Sequence, residues 1–62
     1  MSYLYIVRVY ENGETMDYEY SNMKHAREHY NTDKANRVDL VEYCWNVSTH
    51  TGAERIIDSR GL

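Results

Sequence analysis

The chain has no proline and a single cysteine, Cys44. One cysteine excludes an internal disulfide, the staple on which small secreted domains commonly depend. The missing prolines leave the turns to be read from Asn, Gly, Ser, Thr and Asp. Long apolar runs are also missing, and nothing approaches the roughly 20 residues of a membrane-spanning helix. The start, MSYLYIVRVY, has no basic head, its apolar run is broken by Arg8, and no small-residue cleavage site follows. It therefore does not read as a secretion signal. These absences together give the expectation of a cytoplasmic protein in a reducing compartment. In that setting Asn46-Val47-Ser48, which matches a glycosylation acceptor, is taken as chance.

An excess of basic charge is missing too. The net charge is −3, and it is uneven along the chain. Residues 1–20 set Glu11, Glu14, Asp17 and Glu19 against Arg8, a balance of −3. Residues 21–37 set Lys24, Arg27, Lys34 and Arg37 against Glu28 and Asp33, a balance of +2. No polybasic footprint for nucleic acid emerges, and −3 is too sparse for a mimic of DNA with its charge every ~1.7 Å of axis. Neither a repeat, a linker nor a low-complexity tract is found.

At 62 residues the chain is one small domain, residues 1–62. A domain of this length buries only about 60% of its unfolded surface, and its core rarely supplies more than roughly 3–5 kcal/mol. A metal or a partner subunit is the usual remedy where disulfides are excluded. Seven tyrosines, one tryptophan and regular apolar alternation argue for a folded chain.

The alternation predicts five elements. YLYIVRVY, residues 3–10, is rich in β-formers. Asn12-Gly13 is a strong signal for a tight type I′ hairpin, because both residues tolerate positive φ. In residues 14–20, Met16, Tyr18 and Tyr20 take one face and Thr15, Asp17 and Glu19 the other, a half-wet strand. Ser21 or Asn22 can cap a helix that runs to about Asn31, with Met23, Ala26, Arg27 and Tyr30 forming its inward stripe. A strand over 37–47, a turn over 48–52 and a strand over 53–59 follow, and the final SRGL is expected to fray.

The order ββαββ predicts an α+β fold: a four-stranded antiparallel sheet in spatial order 2-1-3-4 with one helix on one face. The acidic second strand suits an edge, and strands apolar on both sides suit the centre. The rival order 1-2-3-4 would place the acidic strand in the middle. One helix shields one face, so the other keeps large apolar side chains. Leu4, Ile6 and Tyr10 fall on one side of the first strand, and Tyr43 and Trp45 on one side of the third. These five are the candidate interface residues, and the alternation leaves open which sheet face the helix covers. Large exposed apolar patches mark contact sites, and a second copy of the chain, giving a homodimer, is the first candidate partner.

His25, Glu28 and His29 spell HxxEH, the inverted zinc-hydrolase signature. A zinc hydrolase needs a third protein ligand and an open position in a shaped cleft, and only His50 in a turn and scattered carboxylates are on offer. The three residues are expected on the wet side of the helix, opposite Met23 and Tyr30. No catalytic residue, metal ligand or cofactor site is assigned. Cys44 is expected to be a small buried hydrophobe, and Asp17 and Glu19 edge-protecting charges.

The short, proline-free, tyrosine- and asparagine-rich chain resembles small orphan reading frames of bacteriophages and mobile elements in composition and size. That resemblance implies a small adaptor or inhibitor of a host protein, a non-catalytic protein-binding module. The alternative from another class is a single-stranded nucleic-acid binder that stacks bases on Tyr and Trp, which the acidic second strand disfavours. A metal-dependent hydrolase ranks third.

Overall fold

Residues 2–61 are described by the computed structural model, with the side chain of Ser2 outside the description. The elements are β1 (Ser2–Glu11), β2 (Glu14–Tyr20), α1 (Met23–Thr32), β3 (Arg37–Asn46) and β4 (Thr51–Arg60). The strands form one antiparallel sheet in the order β2-β1-β3-β4, with the helix on one face. The α+β class, the ββαββ order and the strand order are those expected from the sequence.

Asn12 and Gly13 close the first hairpin with φ of 53° and 78°. That is the left-handed conformation that a type I′ turn requires and that glycine adopts without steric cost. The helix begins where Asn22 takes an extended conformation and accepts the Lys24 N–H on its side chain at 2.7 Å. Such a cap satisfies one of the orphan donors of the first turn and is worth about 1 kcal/mol.

The core lies between α1 and the sheet. Val7 and Val9 of β1, Val38 and Leu40 of β3, and Ala26 and Tyr30 of α1 are buried together, with Tyr5, Tyr20, Met23, Ala35 and Ile57 packed around them. Side chains alternate across a strand, so the helix covers the odd-numbered side of β1 and the even-numbered side of β3. Each large side chain fully buried there contributes roughly 1.5–3 kcal/mol. Arg27 leaves the stripe to pair with Asp58 on β4 at 3.0 Å, and this guanidinium holds the Asp58 carboxyl below its ordinary range, with the Ser59 N–H adding to the effect.

The chain end differs from the expectation of fraying. β4 reaches Arg60, whose guanidinium donates to the Asp33 carbonyl and sits 5.2 Å from the centre of the Tyr30 ring. Gly61 has φ of 78° and lies so close to the Asn36 carbonyl that a side chain has no room. Backbone pairing and this close approach, rather than apolar content, hold the segment. Leu62 lies outside the described residues. β4 also carries a bulge: Leu40 pairs with Asp58 and Val41 with Ile56, so Ile57 is the extra residue and turns toward the helix. None of the described helices is long and apolar enough to cross a membrane.

Candidate functional site

Two surfaces carry the sequence's candidate residues. The first is a cleft of about 430 Å³ between β2 and α1, lined by Tyr18, Tyr20, His25, Glu28, His29 and Thr32. His25 and Glu28 are exposed, as the helical wheel predicts, but His29 is not on a wet face. Its side chain is 21% exposed. Its ring stands edge-on to Tyr18 and Tyr20, with centroids at 4.9 and 5.7 Å. The wheel misplaced it because the aromatic side of β2 reaches past the helix's inward stripe and meets the next residue around.

Both nitrogens of His29 are taken. Nδ1 lies 2.7 Å from the Tyr20 hydroxyl and Nε2 2.8 Å from the Asp33 carboxylate. Asp33 is held below the ordinary carboxylate range, first by the Ala35 N–H at 2.8 Å and then by His29. In the tautomer with its proton on Nε2, that nitrogen donates to the Asp33 carboxylate and Nδ1 accepts from the Tyr20 hydroxyl, which satisfies both bonds. Hydroxyl, imidazole and carboxylate thus stand in the order of a nucleophile, base and orienter. The same bonds tie the sheet edge to the helix end. The Thr32 hydroxyl beside it is turned back to the Glu28 and His29 carbonyls at 2.9 and 3.3 Å. With His29 engaged on both sides, HxxEH presents no free pair of imidazoles. Among the described residues no group of three or more His, Cys, Asp or Glu side chains is placed to hold a metal ion.

The second surface is the sheet face without the helix. Registers align its side chains into rows: Trp45 beside Gly52; Leu4, Tyr43 and Glu54; Glu19, Ile6, Val41 and Ile56; then Asp17, Arg8, Asp39 and Ser59; then Thr15, Tyr10 and Arg37. All five candidate interface residues therefore share this face. The rows do not bring all five together. Leu4, Ile6, Tyr43 and Trp45 cluster toward one end. Tyr10 stands six residues along β1 from Leu4, about 20 Å at ~3.3 Å per residue. It is engaged there, with its hydroxyl donating to buried Asp39 at 3.0 Å and Arg37 stacked 4.2 Å above its ring.

The face is also less bare than alternation alone implies. Ile6 and Val41 are buried although no helix lies over them. Arg8 accounts for this. Its guanidinium grips Asp17 on β2 at 2.9 and 3.2 Å and reaches Glu54 on β4 at 3.2 Å. The same Nη2 meets Asp17 from β2 and Glu54 from β4, so the ion cluster lies across the face at the rows of Ile6 and Val41. The two carboxylates raise the Arg8 pKa further above its already high value. The hydroxyl end of Tyr43 reaches over Gly52, where any Cβ would collide with it. The most exposed large apolar residue of this face is Ile56, at 60%.

Sequence reasoning missed Arg8 as a cover and Ile56 as a member of the face. Both left signals. A charge inside YLYIVRVY needs a partner across the sheet, and of two adjacent isoleucines in a strand alternation sends one to each face. Asp17 proves to be half of the Arg8 cluster as well as an edge charge. Cys44 is half-buried rather than buried, on the helix side but beyond the helix, where it interacts with Tyr3. Its hydrogen bond is the main cause of the raised Tyr3 pKa.

The helix is too short for the sheet. Ten residues of α1 span ~15 Å, against ~33 Å for a ten-residue strand. The row of Tyr3, Cys44 and Ala53 lies beyond it, and Tyr3 is 48% exposed. At this end the sheet is uncovered on both sides. Comparison with protein-family models, curated proteins and solved structures returns no match for this chain.

Proposed function

We propose that this chain is a non-catalytic protein-binding module of a reducing cytoplasm, and that its interface is the uncovered sheet face around Leu4, Ile6, Tyr43, Trp45 and Ile56. The observation that carries the reading is the exposure of Ile56 at 60%, next to half-buried Tyr43, Leu4 and Trp45, on a face with no second layer. Tyrosine and tryptophan on a rigid sheet are the residue types of interface hot spots. The sheet edges argue for the face as the docking surface. β2 presents Asp17 and Glu19, and β4 presents Glu54, Arg55, Asp58 and a bulge, all of which oppose strand addition. The small adaptor or inhibitor that the composition resembles would work in this way.

The test is affinity capture from the native host with identification of what co-purifies, run in parallel on Trp45→Ala, Ile56→Ser and the helix variant His25→Ala. The reading expects one defined protein to be lost with both sheet-face variants and kept with His25→Ala, each variant first checked for native circular dichroism. A captured set that ignores the sheet-face substitutions overturns it.

A further inference from the structure

The sheet rows sort the chain's charges as well as its apolar residues. The uncovered face carries Asp17, Glu19, Asp39 and Glu54 against Arg8 and Arg37, a balance of −2. Glu11 and Glu14 at the hairpin tip add another −2. All remaining charges, Lys24, Arg27, Lys34, Arg55 and Arg60 against Glu28, Asp33, Glu42 and Asp58, sum to +1, which completes the total of −3. The chain is close to neutral on its helix side and anionic on the face proposed to bind.

Both cations of that face are already engaged. Arg8 serves Asp17 and Glu54 together, and Arg37 stacks on Tyr10 with Asp39 at 3.7 Å. What remains unneutralised is Glu19 on the β2 flank and one carboxylate's worth of charge at the Arg8 cluster, which reaches Glu54 on the β4 flank. Between the flanks Ile6 and Val41 are buried, and the open apolar surface is Ile56 with half-buried Leu4, Tyr43 and Trp45 beyond.

We infer that the partner is a basic protein segment, one that carries Lys or Arg among apolar side chains; this rests on the reading of the face as a protein interface. A lysine or arginine lays its methylene stem on apolar surface and keeps its charged head at the margin, where Glu19 and Glu54 would receive it. Tyr43, in the row of Glu54, and Trp45 add aromatic rings to the same sheet face, and such rings attract cations. A second copy of this chain would bring the same surplus of carboxylates to the contact, and like charges facing each other work against association. A nucleic-acid backbone meets the same repulsion.

The experiment uses the full chain labelled with ¹⁵N and two synthetic peptides of equal length and identical apolar residues, one bearing Lys and Arg, the other Glu in their places. Amide shifts are followed during titration at low and at moderate salt. The basic peptide is expected to move Leu4, Ile6, Glu19, Tyr43, Trp45 and Ile56, to bind more weakly as salt rises, and to lose about three- to tenfold in affinity with Glu19→Lys. Glu19 is exposed at a sheet edge, so that substitution leaves the fold in place. Equal or tighter binding of the acidic peptide to the same amides overturns the charge inference and leaves the interface reading standing. Shifts confined to Glu11 and Glu14, or to the helix side, overturn both, as does an absence of binding by either peptide at millimolar concentration. Concentration-dependent dimerisation that shields these amides assigns the face to a second copy and refutes the basic partner.

Discussion

Replacing Arg8 tests the claim that a single side chain stands in for a second layer over the sheet. The Arg8 side chain is 23% exposed and pairs with carboxylates that are each 42% exposed. Its three methylenes, mostly buried, contribute about 2 kcal/mol at ~0.8 kcal/mol per CH₂. Ion pairs to partly exposed carboxylates add only about 0.2–1 kcal/mol each. Arg8→Ala should therefore cost about 2.5–3.5 kcal/mol, against a total that for a domain of this size is roughly 3–5 kcal/mol. Arg8→Met keeps an apolar stem of similar length and loses only the charge, so it should cost about 0.5–1.5 kcal/mol. Urea unfolding followed by Trp45 fluorescence reads the difference. The midpoint should fall far more for alanine than for methionine, with the slope unchanged where both variants still fold. Equal losses for the two variants, or an alanine effect below about 0.5 kcal/mol, would refute the stem-as-cover argument.

Two glycines with the same φ of 78° should respond differently to alanine. Gly13 faces open space, so Gly13→Ala carries the backbone penalty alone, while Gly61→Ala also runs into the Asn36 carbonyl and should lower the melting temperature further and loosen Arg60 from Asp33. Gly13→Val should cost about 1–3 kcal/mol, since a β-branched residue resists positive φ; an unchanged denaturation midpoint would contradict the turn assignment. Acid should destabilise the fold through Asp33 and Asp58, whose folded pKa values are lowered. Their contribution is complete above the unfolded value of about 3.9 and disappears as pH falls through the lower folded values, so a melting temperature flat from pH 5 to pH 2 would count against both contacts.

Much of the architecture could be read locally. Asn12-Gly13 announced its turn, and Met23, Ala26, Arg27 and Tyr30 announced the helix stripe, because each depends on neighbours within one turn of chain. Strand order followed from Asp17 and Glu19, since charge on one strand and apolar residues on both sides of two others leave few arrangements. What resisted reading depends on distant partners. β1 and β3 are apolar on both sides, so alternation alone could not say which side meets the helix. The bridge from Arg8 to Glu54 joins residues 46 apart in sequence. His29 changed surroundings because Tyr18 and Tyr20 of another element reach it, and Gly61 is held by the Asn36 backbone, about which SRGL says nothing. The candidate face was legible as a set of side chains. Its division into a pinned end at Tyr10 and a free end at Trp45 was not.

That division has a dynamic consequence. Where the helix and Arg8 lie, β1 and β3 are covered on both sides; toward Tyr3 and Trp45 they are covered on neither. Local stability follows buried contact, and the segments of a protein that meet ligands come from its low-stability end. The amides of Val7, Val9, Val38 and Leu40 should thus exchange only through global unfolding, while those of Tyr3, Tyr43 and Trp45 open locally and lose protection at least about tenfold sooner. A partner on the open face would then do more than fill a surface. At a concentration one hundred times its Kd it adds about 2.7 kcal/mol, comparable to what the uncovered rows lack, and it should bring their exchange close to that of the core. Native-state hydrogen exchange with and without the basic peptide measures both effects. Uniform protection along β3 in the free protein would show that the sheet needs no second layer at this end, and the physical case for a partner there would fall with it.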